Sequence, residues 1–425
     1  MPMQLIDRRR FLQLGIAAGA GAVATTVAGA GGVAAGGFVQ DATTSGAGAP
    51  PDAPAPIGQR QLVVIDMAGG NDGMSMVPPI GNSTYHTLRP RTSLDDSAIL
   101  PLSGSVGLHP SLIKMHSRGL AAVQGVGLAK PDLSHFESIR RWWAGDRTSL
   151  QISATGFLGR LCDEIGDPNV PAVGVSLGYG PSPALLSSNV STLSMDPYSS
   201  GGFPRFWDVE MDQAWTASWR TMCELTDPNA SVPFRSARRG GAYAIAFSDD
   251  VAANLPPGAA GYPATELGTQ LGLAARLLAS NEGVRVVHVP FYGDFDTHDD
   301  HLARHARLMT QLDDAVDRFL DDLAARGIAN RVIVATTSEF GRRVPDNASN
   351  GLDHGAASFA LIAGAPVAAG LYGTYPNLAD LDGDDDLKPS VDLWDYYATL
   401  SETWLGVPAS SVLGPGATPI PGVIA

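Results

Sequence analysis

Val284–His298 reads VRVVHVPFYGDFDTH. Its first eight residues, Val284–Phe291, are almost wholly β-branched or apolar, without the polar alternation of a half-exposed strand. Such a run fits a strand covered on both faces. It then breaks at once into Gly293, Asp294, Phe295, Asp296, Thr297 and His298, so acid and imidazole groups gather where the strand ends. The same grammar recurs along the chain. Gln61–Met67 (QLVVIDM) precedes Ala68-Gly69-Gly70-Asn71-Asp72-Gly73-Met74, and Arg331–Thr337 (RVIVATT) precedes Ser338-Glu339-Phe340-Gly341-Arg342. Leu120–Val126, Pro171–Leu177 and Ser358–Ala363 complete the set of strand-like runs. Between them, three-to-four spacing of apolar residues predicts helices over Ser134–Trp143, Phe157–Ile165, Thr265–Ser280, Asp299–Ala325 and Val391–Leu405. Alternating elements predict an α/β fold, a three-layer α/β/α sandwich on a mostly parallel central sheet. Ligands of such sheets collect outside the carboxyl ends of the strands.

The chain is 425 residues long, 44% hydrophobic and 17% charged, with 28 Lys+Arg against 43 Asp+Glu and a formal charge of −15. That apolar content is ample for a core. The acidic balance argues against a nucleic-acid partner, which needs clustered cations. Cys162 and Cys223 lie in no metal-knuckle spacing, which excludes a disulfide scaffold and a structural zinc knuckle. Asp7-Arg8-Arg9-Arg10-Phe11-Leu12 followed by a soft Gly/Ala run resembles a twin-arginine export signal. Residues 1–35 are therefore expected to be a signal peptide read by the twin-arginine translocase. The run is too weakly apolar to favour a lasting transmembrane span. Residues 36–58, rich in Gly, Ala and Pro, read as a flexible linker. Residues 59–425 form one domain, with 178–261 reading as an insertion. The destination is periplasm, envelope or exterior.

Several strand-end groups have both a bland and a chemical reading. Gly69–Gly73 suits a tight turn, yet Asp66 and Asp72 both lie at the strand exit, where each could reach a metal. Ser134 and Glu137 match a capping box, and a serine at a helix N-terminus is equally a placed nucleophile. His135 and Arg140 are near it. Asp294, Asp296 and His298 put three metal-type ligands within five residues; the bland reading is a helix cap at Asp296 or Thr297. His298, His301 and His305 share a helical face if the helix starts that early. The pairs Asp313-Asp314 and Asp321-Asp322 read as solvated helix surface. Glu339 follows a buried strand and needs a partner, either Arg342 or a metal. Asp353-His354-Gly355 matters by position.

Taken in order, GGNDG at Gly69–Gly73, SHF at Ser134–Phe136, DTH at Asp296–His298, SEFGR at Ser338–Arg342 and DHG at Asp353–Gly355 resemble the alkaline phosphatase-like superfamily. Within it they are similar to the branch grouped as domain-of-unknown-function family 1501. The resemblance implies an exported metal-dependent hydrolase, or related transferase, of phosphate or sulfate esters. Small anionic esters would be its substrates, and one or two divalent ions (zinc, calcium or magnesium) its cofactors. It implies Ser134 as nucleophile, with His135 and Arg342 in catalysis and Asn71 and Arg140 on substrate. Metal ligands would come from Asp66, Asp72, Asp294, Asp296, His298, Glu339, Asp353 and His354. Phe340 stands where that superfamily carries an imidazole, which leaves one metal site a ligand short. The sulfatase C-x-P-S-R signature is absent. The alternative is a non-catalytic exported binding or assembly protein that keeps the fold.

Overall fold

QLVVIDM forms β1 (Gln61–Met67), a central strand whose side chains alternate between two separate cores. The computed structural model describes residues 52–145, 155–198, 209–224, 238, 241–248, 255–280 and 283–425. The expected signal peptide and most of the linker lie outside the described residues. The remaining strands are β2 (Leu100–Pro101), β3 (Gly107–Leu108), β4 (Ala121–Gly127), β5 (Gly174–Ser176), β6 (Thr192–Ser194), β7 (Val286–Phe291) and β8 (Val332–Ser338). They continue with β9 (Gly341–Arg342), β10 (His354–Gly355), β11 (Ala357–Ala363), β12 (Gly370–Tyr372) and β13 (Val391–Asp392). The main sheet runs β12-β4-β11-β8-β1-β7-β5-β6, with β13 also on β4. Only β11 runs against its neighbours β4 and β8. Ile65 therefore lies level with Val289 on one side and Thr336 on the other.

Strand alternation produces the three layers. Leu62 and Val64 join Val286 and Ile333 in one core, closed by Phe157, Leu158 and Leu161 of the helix Phe157–Ile165 and by Leu393 and Trp394. Val63, Ile65 and Met67 face the other, closed by Leu271 and Ala274 of the helix Glu266–Ala279 and by Leu308, Leu312 and Phe319 of the helix His301–Ala325. Each fully buried Leu or Phe contributes about 1.5–3 kcal/mol, so burial on both faces holds the sheet between the two helical layers.

Some local expectations change. Val391–Leu405 is not one helix: the Asp392 carboxylate accepts the Trp394 N–H, so the helix Leu393–Ala398 starts only after it and gives way to a wider turn at Thr399–Leu405. Asp313 and Asp322 are buried, not solvated. Asp313 caps a different helix, Ile113–Arg118, by accepting the N–H groups of Lys114 and Met115; Asp322 pairs with Arg326. Asp314 and Asp321 keep the surface role, paired with Lys114 and Arg118. The stretch 178–261 is not wholly apart from the sheet, because β6 is its edge strand beside β5.

Candidate metal centre

The carboxyl ends of β1, β4, β7 and β8 share one edge, and the loops leaving them meet there. Gly69 turns with φ +111°, and a Cβ on it would lie 2.7 Å from the Asp296 backbone nitrogen. That close approach of the β1 and β7 exits needs a residue without a side chain. Gly70, at φ +83°, likewise leaves room for the Phe340 ring. Asp296 follows β7, Glu339 follows β8, His135 opens the helix His135–Ala144 after β4, and His354 lies on β10. One ligand atom each from His135, Asp296 and His354 lies within 4.8 Å of the others.

The three imidazoles around Asp296 are each held from behind. The Nδ1 of His135 is 2.6 Å from Glu339 Oε1, that of His298 is 3.1 Å from Asp353 Oδ1, and that of His354 is 2.8 Å from the Leu133 carbonyl. Each of these partners can accept a ring N–H, and in the Nδ1–H tautomer the Nε2 lone pair faces Asp296. There, His298 Nε2 is 3.0 Å from both His354 Nε2 and Asp296 Oδ1, and His354 Nε2 is 3.1 Å from Asp296 Oδ1. His135 Nε2 reaches Asp296 Oδ2 at 3.5 Å. In that tautomer the lone pairs face one another and a carboxylate, a contact that a cation between them relieves. Burial lowers the His354 pKa, so protonation of that ring is disfavoured. Ligand atoms about 2.0–2.1 Å from a tetrahedral ion stand roughly 3.3 Å apart, and the observed separations bracket that value. The donor set thus fits a divalent ion, and the acceptors behind each ring are the partners that fix imidazole orientation in metal sites.

Burial works against ionisation of Asp296, but the hydrogen bond and charge of Arg342 outweigh it and hold the carboxyl at about 2. Arg342 itself is fully buried. It donates to Asp296 Oδ1 (2.7 Å) and to the carbonyls of Gly69, Gly70, Phe295 and Leu352. It therefore clamps three loops and presents nothing to a substrate, unlike the catalytic role expected of it. Burial raises the Glu339 carboxyl, against the opposing pull of His135. The Phe340 ring packs with its centroid 4.4 Å from that of His354 and 5.0 Å from that of His135, a wall for these rings.

Of the sequence candidates, His135, Asp296, His298, Glu339, Arg342, Asp353 and His354 come together. Ser134 adjoins them, flanked by Leu133 and His135. It is exposed, and its hydroxyl makes no capping bond. The expected capping box does not form, because Glu137 is taken by Arg140 and Arg141 at 2.6–2.8 Å. Arg140 is thereby held on the helix surface. Asp294, 60% exposed, turns outward to Arg304. Asp66 accepts the Trp143 Nε1–H at 2.8 Å, beneath the cluster rather than in it. Asn71 is buried and faces His305 at 3.0 Å. Asp72 is buried in a bidentate ion pair with Arg89 (2.6 and 3.0 Å), so its charge is already matched. His301 and His305 lie in that interior network rather than beside His298, because the helix begins only at His301. Neither Asp296 nor Thr297 caps it. Arg89, Trp143 and the Leu133 carbonyl were not foreseeable as partners; no local pattern marks them.

Residues 249–404 match the family described as "Protein of unknown function (DUF1501)". The match takes in the DTH, SEFGR and DHG motifs and bears out the resemblance over a little more than a third of the chain. No curated protein matches. Similar solved structures include a phosphonate monoester hydrolase from Silicibacter pomeroyi (10% identity, TM-score 0.35, covering 86% of this chain and 76% of that one). Another is the phosphonate monoester hydrolase of Agrobacterium radiobacter (11%, TM-score 0.37, 84% and 78%). A third is the C-terminal periplasmic domain of EcEptC from Escherichia coli in complex with Zn (9%, TM-score 0.36, 87% and 85%).

Proposed function

We propose that the chain is an exported metal-dependent hydrolase, or related transferase, of phosphate or sulfate esters. The observation that carries this reading is the grouping of His135, Asp296 and His354, with His298 Nε2 also 3.0 Å from Asp296, and an acceptor beside the Nδ1 of each ring. An imidazole-rich set suits zinc or a related transition ion better than calcium or magnesium, which take oxygen ligands. With Asp72 neutralised by Arg89, the residues support one ion rather than two.

A bound ion would polarise the ester oxygen and ease ionisation of a nearby hydroxyl. Ser134, at the N-terminus of the helix His135–Ala144, supplies the attacking oxygen. Its proton passes to water, its Oγ bonds to phosphorus or sulfur, and the bond to the leaving group breaks, releasing an alkoxide that takes a proton from water. Water then cleaves the seryl ester and restores Ser134; a second alcohol in its place gives transfer. The amides of His135, Phe136 and Glu137 have no intrahelical partner in the first turn and favour the developing negative charge. Glu339, Asp353 and Leu133 keep the imidazoles aimed, and Arg342 keeps Asp296 ionised and fixed. The twin-arginine leader supports translocation to the periplasm, envelope or exterior. No described helix is long and apolar enough to cross a membrane.

Ser134→Ala is expected to abolish turnover of p-nitrophenyl phosphate or sulfate while leaving bound metal unchanged. Parental turnover in that variant removes Ser134 from the mechanism. A metal-loaded parent without turnover supports instead the non-catalytic binding or assembly role.

A further inference from the structure

The imidazoles of the cluster are not equally secured. At its Nδ1, His135 meets the buried carboxylate of Glu339, and His354 meets the main-chain carbonyl of Leu133. The Phe340 ring lies beside both. His298 has neither a buried nor a main-chain acceptor at its Nδ1. Its side chain is 44% exposed, and the Asp353 carboxylate that faces it is 50% exposed. A half-exposed carboxylate keeps much of its rotational freedom, so its direction has to be set from elsewhere.

Asn347, which lies between the SEFGR and DHG motifs and belongs to neither, sets it. Its Nδ2 donates to Asp353 Oδ1 (3.1 Å) and to the His298 carbonyl (2.9 Å). The same Asp353 oxygen lies 3.1 Å from His298 Nδ1. One amide thus joins the main chain of His298 to the partner of its ring. On its other side, Asn347 Oδ1 accepts the N–H groups of Ser349 (2.9 Å) and Gly351 (3.0 Å). Both donors and both lone-pair positions of the amide are used, which only this orientation of the group permits. Aspartate there would lack the donors and set a second carboxylate against Asp353. The loop is itself docked on the segment that carries His298. Leu352 N–H donates to the Thr297 carbonyl (3.0 Å), and His301 N–H to the Asn350 carbonyl (2.9 Å).

We propose that Asn347 is a positioning residue of the metal centre, tying Asp353 to the His298 main chain so that His298 Nε2 stays turned toward Asp296 and the ion. The assignment rests on the metal-dependent reading above and adds to it a residue that touches neither ion nor substrate. Zinc titrated into the full chain against a competing chelator tests it. Asn347→Ala should weaken zinc about tenfold, the lower end of what partners behind a ligand contribute. The loss should be about tenfold again on a Glu339→Gln background, where a different ring is affected. On a His298→Ala background, where the ring it serves is gone, it should be less than about twofold. A loop that only stabilises the fold would weaken zinc alike on all three backgrounds. That result overturns the assignment, as does parental zinc affinity in Asn347→Ala. A parent chain that takes up no zinc overturns the metal centre and this assignment with it, so the two failures are told apart by the parent alone.

Discussion

Replacing Arg89 by Met tests the buried pair that removes Asp72 from the metal cluster. The Arg89 and Asp72 side chains are 0% and 1% exposed and meet through two hydrogen bonds of 2.6 and 3.0 Å. Arg89 also donates to the carbonyls of Val344 (2.8 Å) and Arg343 (2.9 Å), joining the β1 exit to the segment after β9. Burial alone would raise the Asp72 pKa, but the charge of Arg89 and the hydrogen bonds from His301 and Arg89 hold it well below the usual carboxylate range. Its stabilisation is therefore present above the unfolded value of about 3.9 and is lost as pH falls through the depressed folded one. Removing one partner of such a pair costs about 3–5 kcal/mol, because a charge is left buried alone. Without Arg89, burial pushes the Asp72 carboxyl upward, so the cost should be full at pH 7 and shrink as the medium approaches pH 4. Urea unfolding followed by tryptophan fluorescence measures this. Adding Asp72→Asn removes the stranded charge and should recover part of the loss. A deficit under about 1 kcal/mol at pH 7, or a double variant as weak as Arg89→Met, would refute the reasoning.

Glu339→Gln keeps the size of the group behind His135 but weakens its hold on Nδ1, so equilibrium dialysis should show metal bound about 10–100-fold more weakly in a folded chain. Asp386 is pushed up to about 7 by burial and then by Asp382. A raised carboxyl favours the folded state at low pH and loses that advantage as pH rises from about 4 to 7. Asp386→Asn should therefore raise the melting temperature at pH 8 and leave it little changed at pH 4. Gly70→Ala places a Cβ 2.1 Å from the buried Phe340 ring at φ +83° and should cost about 1–3 kcal/mol in denaturant unfolding.

The strands were legible because both faces of the sheet are covered: QLVVIDM and VRVVHVPF are rich in Val, Ile and Leu and lack regular polar alternation. The cluster was legible because its groups lie in the segments that leave such runs, Asp296 after VRVVHVPF, Glu339 after RVIVATT and His135 after LAAVQGV. What the sequence hid was direction. Asp294 and Asp296 are two residues apart, yet positive φ at Asp294 turns it out to Arg304 while Asp296 turns in. Asp72 looked as available as Asp296, but its partner Arg89 comes from a helix end that only tertiary packing brings to it. Asp313 sat in an acidic pair of ordinary surface appearance and caps a helix from another part of the chain. Side-chain partners that are distant in sequence leave no periodic trace.

Metal analysis joined to X-ray absorption on the purified, folded chain bears most directly on the cluster at His135, Asp296, His298 and His354. The arrangement predicts about one divalent ion per chain, with imidazole nitrogens at roughly 2.0–2.1 Å, and its loss in both Asp296→Asn and His354→Ala. A folded chain without stoichiometric metal, or metal retained in full by those two variants, would contradict it.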